Sequence, residues 1–168
     1  AMKIREDLDA QNRIREVHVR FKVEAIGAGL RNGLAVMYRT PPSNILSARV
    51  WKEGVLFSDG GLESSQSRNS VIQIFNDARA EVPSQARFSF VNTEPGAPAV
   101  QSPTYLMRVV FRRPIRDAAP YAPFIYRTLE RSREIHLSNE SPSDLMDLSF
   151  FGRQDDRSQP SLGRFYVD

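Results

Sequence analysis

Apolar and charged residues alternate along the stretch from residue 13 to residue 26. Its apolar positions are Val17, Val19, Phe21, Val23 and Ala25, and the polar positions beside them are Glu16, His18, Arg20, Lys22 and Glu24. A period of two places every apolar side chain on one face of a strand and every charged side chain on the other. The pattern predicts a sheet with one face in the core and one face in water.

Shorter apolar segments between glycine-, proline- and asparagine-rich loops predict the remaining strands. Residues 3–8 are expected to pair with the long strand through a reversal at residues 9–12. Asn32-Gly33 is typical of a hairpin turn, because both of its central positions tolerate positive φ, so residues 34–39 are the predicted returning strand. Other strands are predicted over residues 45–51, 70–76, 87–91, 105–112, 124–126 and 134–137.

The last third of the chain, from Ala122 onward, is rich in aromatic residues, acids and turn formers. A helix is predicted to begin there at Ser141, a suitable N-cap, with Pro142 in the first turn and Asp144 as the capping-box acid. Short strands without a long helix are typical of an all-β fold. We therefore predict a jelly-roll-like, two-sheet β-sandwich. A long ordered, mostly irregular C-terminal segment with one short helix is expected to lie along one edge.

Length and composition indicate a single domain over residues 1–168. A chain of this size buries roughly 70% of the surface that its unfolded form exposes, so it requires no cofactor or disulfide for folding. It contains no cysteine. No segment reaches the roughly 20 consecutive apolar residues that cross a bilayer, so this segment is not expected to span a membrane. Ala1-Met2 is typical of a cloning remnant, and we expect a piece excised from a longer protein.

Charge is unevenly distributed along the chain. The net charge is +3, but residues 139–168 carry −3 and the first 138 residues carry +6. Most of the basic residues are arginine, whose planar guanidinium suits paired bonding with carboxylates. This distribution predicts internal pairing between a basic sheet surface and the acidic tail.

Four acids in the C-terminal segment form the candidate metal site: Asp144, Asp147, Asp155 and Asp156. Calcium prefers six to eight oxygen ligands, commonly carboxylates and carbonyls of an irregular loop, so calcium is the ion that this loop would bind. The spacing does not follow an EF-hand. The alternative is structural: Asp144 caps a helix, and the last two aspartates close a turn and pair with Arg153, Arg157 or Arg164.

Other kinds of site are less well supported by the sequence. Gly27-x-Gly29 precedes a predicted turn and strand, so it does not resemble a dinucleotide-binding loop. His18 and His136 are the only histidines, and no Gly-x-Ser-x-Gly elbow is present, so we expect a domain that is not an enzyme. Strand alternation places the aromatic residues on the face opposite a basic stripe, so we expect no nucleic-acid partner. The stripe consists of Arg108, Arg112, Arg113 and Arg116, with Arg127, Arg131 and Arg133 further along the chain. Two interpretations remain for four aromatic residues: they form a surface that stacks against sugar rings, or they pack in the core. The residues are Trp51, Tyr38, Tyr121 and Tyr126.

Blocks along nearly the whole chain resemble the LruC domain of bacterial exported lipoproteins and surface proteins. They are Ala25-Ile-Gly-Ala-Gly, Asn32-Gly-Leu, Gly54-Val-Leu-Phe-Ser, Gly61-Leu-Glu, Phe90-Val-Asn-Thr-Glu-Pro-Gly-Ala-Pro, Pro123-Phe-Ile, Arg133-Glu-Ile-His-Leu, Ser143-Asp-Leu, Phe151-Gly, Asp155-Asp156 and Gly163-Arg-Phe-Tyr. The chain lacks the acidic stretch that such domains carry before the first strand, and it has Ser138-Asn-Glu-Ser-Pro where they tend to be proline-rich.

The resemblance implies an exported protein of the cell envelope or cell surface. It leads us to expect a non-catalytic module for adhesion or assembly, with calcium as a stabilising ion and a protein or glycan of the cell surface as its partner. The alternative is a carbohydrate-binding or carbohydrate-processing β-sandwich module.

Overall fold

Nine strands dominate the computed structural model, which describes residues 1–27, 29–82, 90–116 and 121–167. The strands are β1 (Met2–Leu8), β2 (Ile14–Lys22), β3 (Asn32–Tyr38), β4 (Ile45–Lys52), β5 (Val55–Asp59), β6 (Ser70–Phe75), β7 (Thr104–Ile115), β8 (Tyr121–Arg127) and β9 (Glu130–Ile135). A one-turn helix, α1, spans Ala78–Glu81, and 3₁₀ helices span Pro42–Asn44, Leu148–Phe150 and Pro160–Leu162.

The strands form two antiparallel sheets. Sheet 1 has the order β1-β2-β7-β4-β5, and sheet 2 has the order β6-β3-β8-β9. The main core contains inward-facing residues of both sheets, among them Val17, Val36, Ile72 and Met107. Because apolar side chains of two sheets share one core, the arrangement is that of a β-sandwich, and the predicted all-β class is confirmed. The jelly-roll comparison stays a prediction.

Sheet 2 also buries its other face. A second core consists of Ala35, Met37, Val71, Ala122, Phe124 and Tyr126, all from β3, β6 and β8. Val36 and Tyr38 of the same β3 strand belong to the main core. Strand β3 is therefore buried on both faces, which explains why its sequence does not alternate.

The strand order corrects the predicted hairpin at Asn32-Gly33. Both residues lie inside β3, which pairs with β6 and β8, whereas β2 pairs with β1 and β7. Position 33 requires glycine because the Tyr126 side chain packs against its backbone, and not because the chain turns there. A Cβ at this position would lie 2.7 Å from Cε2 of Tyr126. Strand β2, predicted over residues 13–26, ends earlier than predicted, at Lys22. Ile26 forms only an isolated bridge with Val91.

Other boundaries differ from the predictions as well. Strand β5 and helix α1 were not predicted, and the strand predicted over residues 134–137 is β9, which begins at Glu130. Of the strand predicted over residues 87–91, residues 87–89 lie outside the described part of the chain. Phe90 and Val91 lie in no extended strand.

The helix predicted to begin at Ser141 is wrong. The chain there is irregular, and the next helical turn is the 3₁₀ helix Leu148–Phe150. The backbone N–H and the hydroxyl of Ser143 both donate to the carboxylate of Glu134, and the carboxylate of Asp144 accepts from Ser67. These tertiary hydrogen bonds replace the local ones that a helix cap would make.

All five tyrosines should resist ionisation in the folded protein. Burial raises the pKa of Tyr38, Tyr105, Tyr121 and Tyr166 above 10, and it raises the pKa of Tyr126 to about 12. A raised pKa contributes stability that is present below the unfolded value of 10 and is lost at higher pH. We expect tyrosinate absorbance at 295 nm to appear together with the loss of β-sheet circular dichroism. Normal titration near pH 10 with an intact fold would contradict this burial.

Candidate binding groove and the buried network beside it

An open cavity of about 310 Å³ lies where β3 begins and where β8 and β9 end. We call it the apolar groove. Its lining consists of Leu30, Asn32, Ile125, Tyr126, Arg127, Arg133, Glu134, Ile135, Met146 and Phe150. Met146 and Phe150 belong to the C-terminal segment, so sheet 2 and this segment form the groove together.

Several large apolar side chains of the groove are exposed. Leu30 is 58% exposed, Ile125 36% and Ile135 62%. A second cavity of about 240 Å³ adjoins the groove and shares Leu30, Asn32 and Ile125 with it. Single exposed apolar residues are ordinary, but a contiguous concave set of them is typical of an interaction site.

Strand alternation explains why this set is apolar. Phe124 and Tyr126 belong to the second core, so Ile125 between them faces the opposite side of sheet 2. Ile135 is the register partner of Ile125, and the two side chains share that face. Neither residue belongs to the main core between the sheets. The pair is therefore left open to solvent at this end of the sandwich.

Two arginines of the groove are held by one acid. Nε of Arg133 lies 2.6 Å from a carboxylate oxygen of Glu130, and Nη1 of Arg127 lies 3.1 Å from the same oxygen. The Arg133 guanidinium also lies over the ring of Phe150, 4.4 Å from its centroid. Stacking of this kind favours a fixed guanidinium and orders the aromatic wall contributed by the C-terminal segment.

Glu134 anchors the C-terminal segment beside the groove. Its carboxylate has no exposed surface, and it accepts a 2.9 Å hydrogen bond from the N–H of Ser143 and another from the Ser143 hydroxyl. Arg131 donates to the same carboxylate, and Nε2 of His136 lies 2.7 Å from it. A buried carboxylate needs several such donors to offset its lost hydration.

Arg131 lies between two acids, Glu134 and Glu63. Its Nε and Nη2 donate to the Glu63 carboxylate at 2.6 and 2.8 Å, and its guanidinium lies 4.8 Å from the Tyr126 ring centroid. The side chains of Gln66 and Gln73 also donate to Glu63, both at 2.7 Å. Arg131 thus connects the loop after β5 with β9 across the outer face of the second core.

The pKa of Glu134 reflects these contacts. Burial alone would raise it, but hydrogen bonds from His136 and Ser143 and the charge of Arg131 hold the pKa below its ordinary value. The carboxylate therefore stays ionised at neutral pH. His136 is stacked on the Phe124 ring at 4.2 Å between centroids, and within the described residues its Nδ1 has no hydrogen-bond partner.

The network resembles catalytic chemistry in its residue types but differs from it in connectivity. The Ser143 hydroxyl donates to Glu134, and His136 contacts the same carboxylate, so neither group activates the other as in a nucleophile–base pair. Ser143, Glu134 and His136 are all buried. This arrangement fastens the C-terminal segment to β9. Sequence reasoning placed Arg131 only in a basic stripe and did not predict its pairing with Glu134 and Glu63. Of the three residues, Glu134 alone lies in a predicted strand, where its charge was the available signal.

The four aspartates of the predicted calcium site hold separate places. Asp144 accepts from the N–H and hydroxyl of Ser67, both at 2.7 Å, and Asp147 caps the 3₁₀ helix Leu148–Phe150. Asp156 accepts from backbone N–H groups of its own turn, and Asp155 is exposed. Hydrogen bonds lower the pKa values of Asp144, Asp147 and Asp156 below the ordinary value. The calcium site stays a prediction.

Within the described chain, one set of three potential metal ligands converges elsewhere, on sheet 1. Ligand atoms of Asp7, Glu16 and His18 lie within 4.8 Å of one another, because Asp7 and Glu16 are register partners and His18 is two residues further on β2. Arg108 donates to both carboxylate oxygens of Glu16, and Arg5 lies 3.0 Å from Nε2 of His18. These guanidiniums already balance the charge of the two acids.

The other candidate surfaces are largely used for packing and pairing. Tyr38 and Tyr126 of the predicted sugar-stacking surface are buried in the two cores, while Trp51 and Tyr121 are partly exposed. In the predicted basic stripe, Arg108, Arg127, Arg131 and Arg133 pair with glutamates of the strands and of the loop after β5. Among the described residues, Arg39–Glu140 is the one ion pair that joins the acidic tail to the rest of the chain. The predicted pairing of a basic surface with the acidic tail is therefore limited to this one close contact in the residues that the structure describes.

Comparison with known proteins identifies a family without an established activity. None of the helices in the described part of the chain is long and apolar enough to cross a membrane. No curated protein and no solved structure matches the chain. Residues 12–168 match the family described as domain of unknown function DUF4842. This match covers both sheets except β1 and includes the groove, the buried network and the C-terminal segment, and so the chain belongs to the DUF4842 family.

Proposed function

We propose that this domain is a non-catalytic module of the bacterial cell envelope or cell surface that acts in adhesion or assembly. The resemblance to LruC domains supports the exported location. The observation that carries the proposal is the apolar groove, which presents exposed large apolar side chains on a rigid sheet. The partner that we propose for it is a protein segment with one or two large apolar side chains.

The chemistry of the groove favours a protein partner. Protein interfaces concentrate their binding energy in apolar pockets with aromatic and arginine neighbours. Here Ile125, Ile135 and Phe150 supply the apolar surface, and Arg133 lies stacked over Phe150. Two adjoining cavities that share Leu30 suit two neighbouring anchor side chains. The connectivity of Ser143, Glu134 and His136 supports a structural role for the neighbouring polar residues.

Calcium remains part of the proposal as a stabilising ion of the C-terminal segment. Asp144, Asp147 and Asp155 are exposed, but Asp144, Asp147 and Asp156 already accept hydrogen bonds from the chain. Binding of calcium there would have to compete with these bonds.

Replacing Ile135 with aspartate should strongly weaken adhesion while leaving the fold intact. Ile135 is 62% exposed, so the free domain should tolerate a carboxylate at this position. A bound partner would bury that carboxylate, and the cost of its desolvation would oppose binding. We expect retention of the fluorescently labelled domain on cells of the producing bacterium to fall at least about tenfold, the equivalent of about 1.4 kcal/mol. Flow cytometry measures this retention, and the melting temperature reports on folding.

Leu46→Asp is the matched control, because Leu46 is 54% exposed on β4 and does not line the groove. Its retention should equal that of the wild type. Brief protease treatment of the cells distinguishes the partner class: retention that disappears supports a protein, and retention that survives supports a glycan. Equal retention of both aspartate variants and the wild type would refute the groove as the binding site.

A further inference from the structure

A bulge near the end of β7 displays two consecutive arginines on the surface. On the β2 side, Val110 pairs with Glu16 and Ile115 with Ile14, so four residues of β7 lie opposite a single residue of β2. Regular alternation would place Arg112 and Arg113 on opposite faces, yet both are exposed. Bulges commonly redirect side chains next to functional sites.

The side chain of Asn44 fixes this bulge. Its Oδ1 accepts a 2.8 Å hydrogen bond from the N–H of Arg113, and its Nδ2 donates to the Arg113 carbonyl at 3.1 Å. Nδ2 of Asn44 also donates to the Thr40 hydroxyl at 3.0 Å. An amide that satisfies both backbone groups of one residue holds the bulge in a single conformation. The two guanidiniums are therefore presented from a rigid base.

An open cavity of about 510 Å³ lies beside the bulge, which we call the arginine groove. Its walls include Thr40, Ser43, Asn44, Arg112 and Arg113, and none of the described residues that line it is acidic. Most arginines of the strands pair with an acid, but within the described chain Arg112 and Arg113 have no ion pair. Arg15, also exposed, lies on β2 between the residues that pair on either side of the bulge.

We infer that the arginine groove binds an acidic polysaccharide through its carboxylate groups. Guanidinium forks bind carboxylates in a paired, directional manner, and the hydroxyl of the exposed Ser43 suits the hydroxyls of a sugar. Among the residues that the structure describes, no aromatic side chain lines the groove, and these residues therefore supply no stacking platform of the kind on which single-stranded nucleic acid depends. The choice of a surface polysaccharide rests on the proposed surface location, whereas the anion site itself does not.

The two grooves are independent. Strand β3 begins at the apolar groove with Asn32 and leads to the arginine groove at Thr40, just beyond its last residue. The six steps from Asn32 to Tyr38 along this strand span roughly 20 Å. A substitution in one groove should therefore leave binding at the other unchanged, and failure of either proposal is visible separately.

Isothermal titration of the full chain with a galacturonate oligomer at 150 mM NaCl tests the inference. We expect the double substitution Arg112→Ala and Arg113→Ala to weaken binding at least about tenfold. The loss of even one hydrogen bond between charged groups is enough to reduce the affinity by that factor. The double substitution Arg153→Ala and Arg157→Ala removes the same charge from two exposed positions elsewhere and should leave the affinity within about twofold.

Asn44→Ala tests whether the bulge positions the arginines. It changes no charge, so several-fold weaker binding by a protein that still melts cooperatively would support a built site, and unchanged binding would mean general attraction to a polyanion. A neutral dextran oligomer should not bind. Tighter binding of single-stranded DNA than of the galacturonate oligomer, or equal effects of the two double substitutions, would overturn the inference. Neither result depends on Ile135, so the proposed adhesion site is tested separately.

Discussion

Replacing Arg131 with methionine should lower the free energy of unfolding by about 3–5 kcal/mol, the range for removing one partner of a buried ion pair. The substitution leaves two acids without their shared cation: Glu134, which is buried, and Glu63, whose side chain is 8% exposed. Methionine keeps much of the apolar stem of arginine, so lost packing over Tyr126 contributes little. Urea denaturation followed by the fluorescence of Trp51, the single tryptophan, measures the change.

The pH dependence identifies the cause. In the wild type the pKa of Glu134 is lowered, so its contribution is present above the unfolded value of 4.5 and is lost as the pH falls below it. In the variant that lacks Arg131, the two carboxylates repel each other and have lost part of their hydration. Protonation of a carboxylate at lower pH removes this repulsion and therefore reduces the destabilisation. The difference between wild type and variant should therefore be largest at neutral pH and smaller near pH 4.

Arg49→Met is the matched control. Arg49 pairs with Asp59 at 3.0 Å, and both side chains are about half exposed. Exposed pairs contribute roughly 0–1 kcal/mol, so this variant should be nearly as stable as the wild type. An equal, small loss in both variants would show that the C-terminal segment does not depend on the buried network.

Replacing Gly33 with alanine should cost about 3 kcal/mol, at the upper end of the usual range for overpacking. The new Cβ would stand 2.6 Å from the hydroxyl oxygen and 2.7 Å from Cε2 of Tyr126. Tyr126 is buried, and its single O–H lies within hydrogen-bond distance of the Phe75 carbonyl and of Oδ1 of Asn76, so its ring cannot move without losing this bonding. Thermal and urea unfolding measure the effect.

Gly29→Ala provides the comparison, because a Cβ at Gly29 meets no atom within 4 Å and its backbone does not require positive φ. Its stability should stay within about 0.5 kcal/mol of the wild type. Combining Gly33→Ala with Tyr126→Leu should cost less than the sum of the single changes, because the smaller side chain removes the clash. Strict additivity would argue against contact between these two positions.

The sequence predicted individual strands better than their partners. Alternation from Val17 to Phe21 predicted β2 with its buried face, and the predicted strands at residues 45–51 and 105–112 coincide with β4 and most of β7. Asn32-Gly33 misled the prediction, since its turn propensity is local and its place in β3 depends on β6 and β8. Strand β5 was missed because Val55, Leu56 and Phe57 are consecutive apolar residues without alternation.

In the candidate sites as well, the sequence predicted local hydrogen bonds but not contacts between distant residues. The structural alternative predicted a turn role for Asp156, and a turn hydrogen bond holds it, whereas the cap role of Asp147 was not predicted. The pairing of Arg131 with Glu63 spans 68 residues, so no spacing rule could reveal it. The exposure of both Arg112 and Arg113 likewise depends on a bulge that two neighbouring strands and Asn44 impose.

The order of side chains along the chain determined which faces are apolar, and thereby the all-β class and most strand positions, because a strand's two faces are set by adjacent residues. The tertiary structure decided which strands meet, why β3 is buried on both faces, and where Ile125 and Ile135 stay open. These outcomes arise from contacts between residues far apart in the chain, whose energies depend on the whole packing arrangement rather than on local pattern.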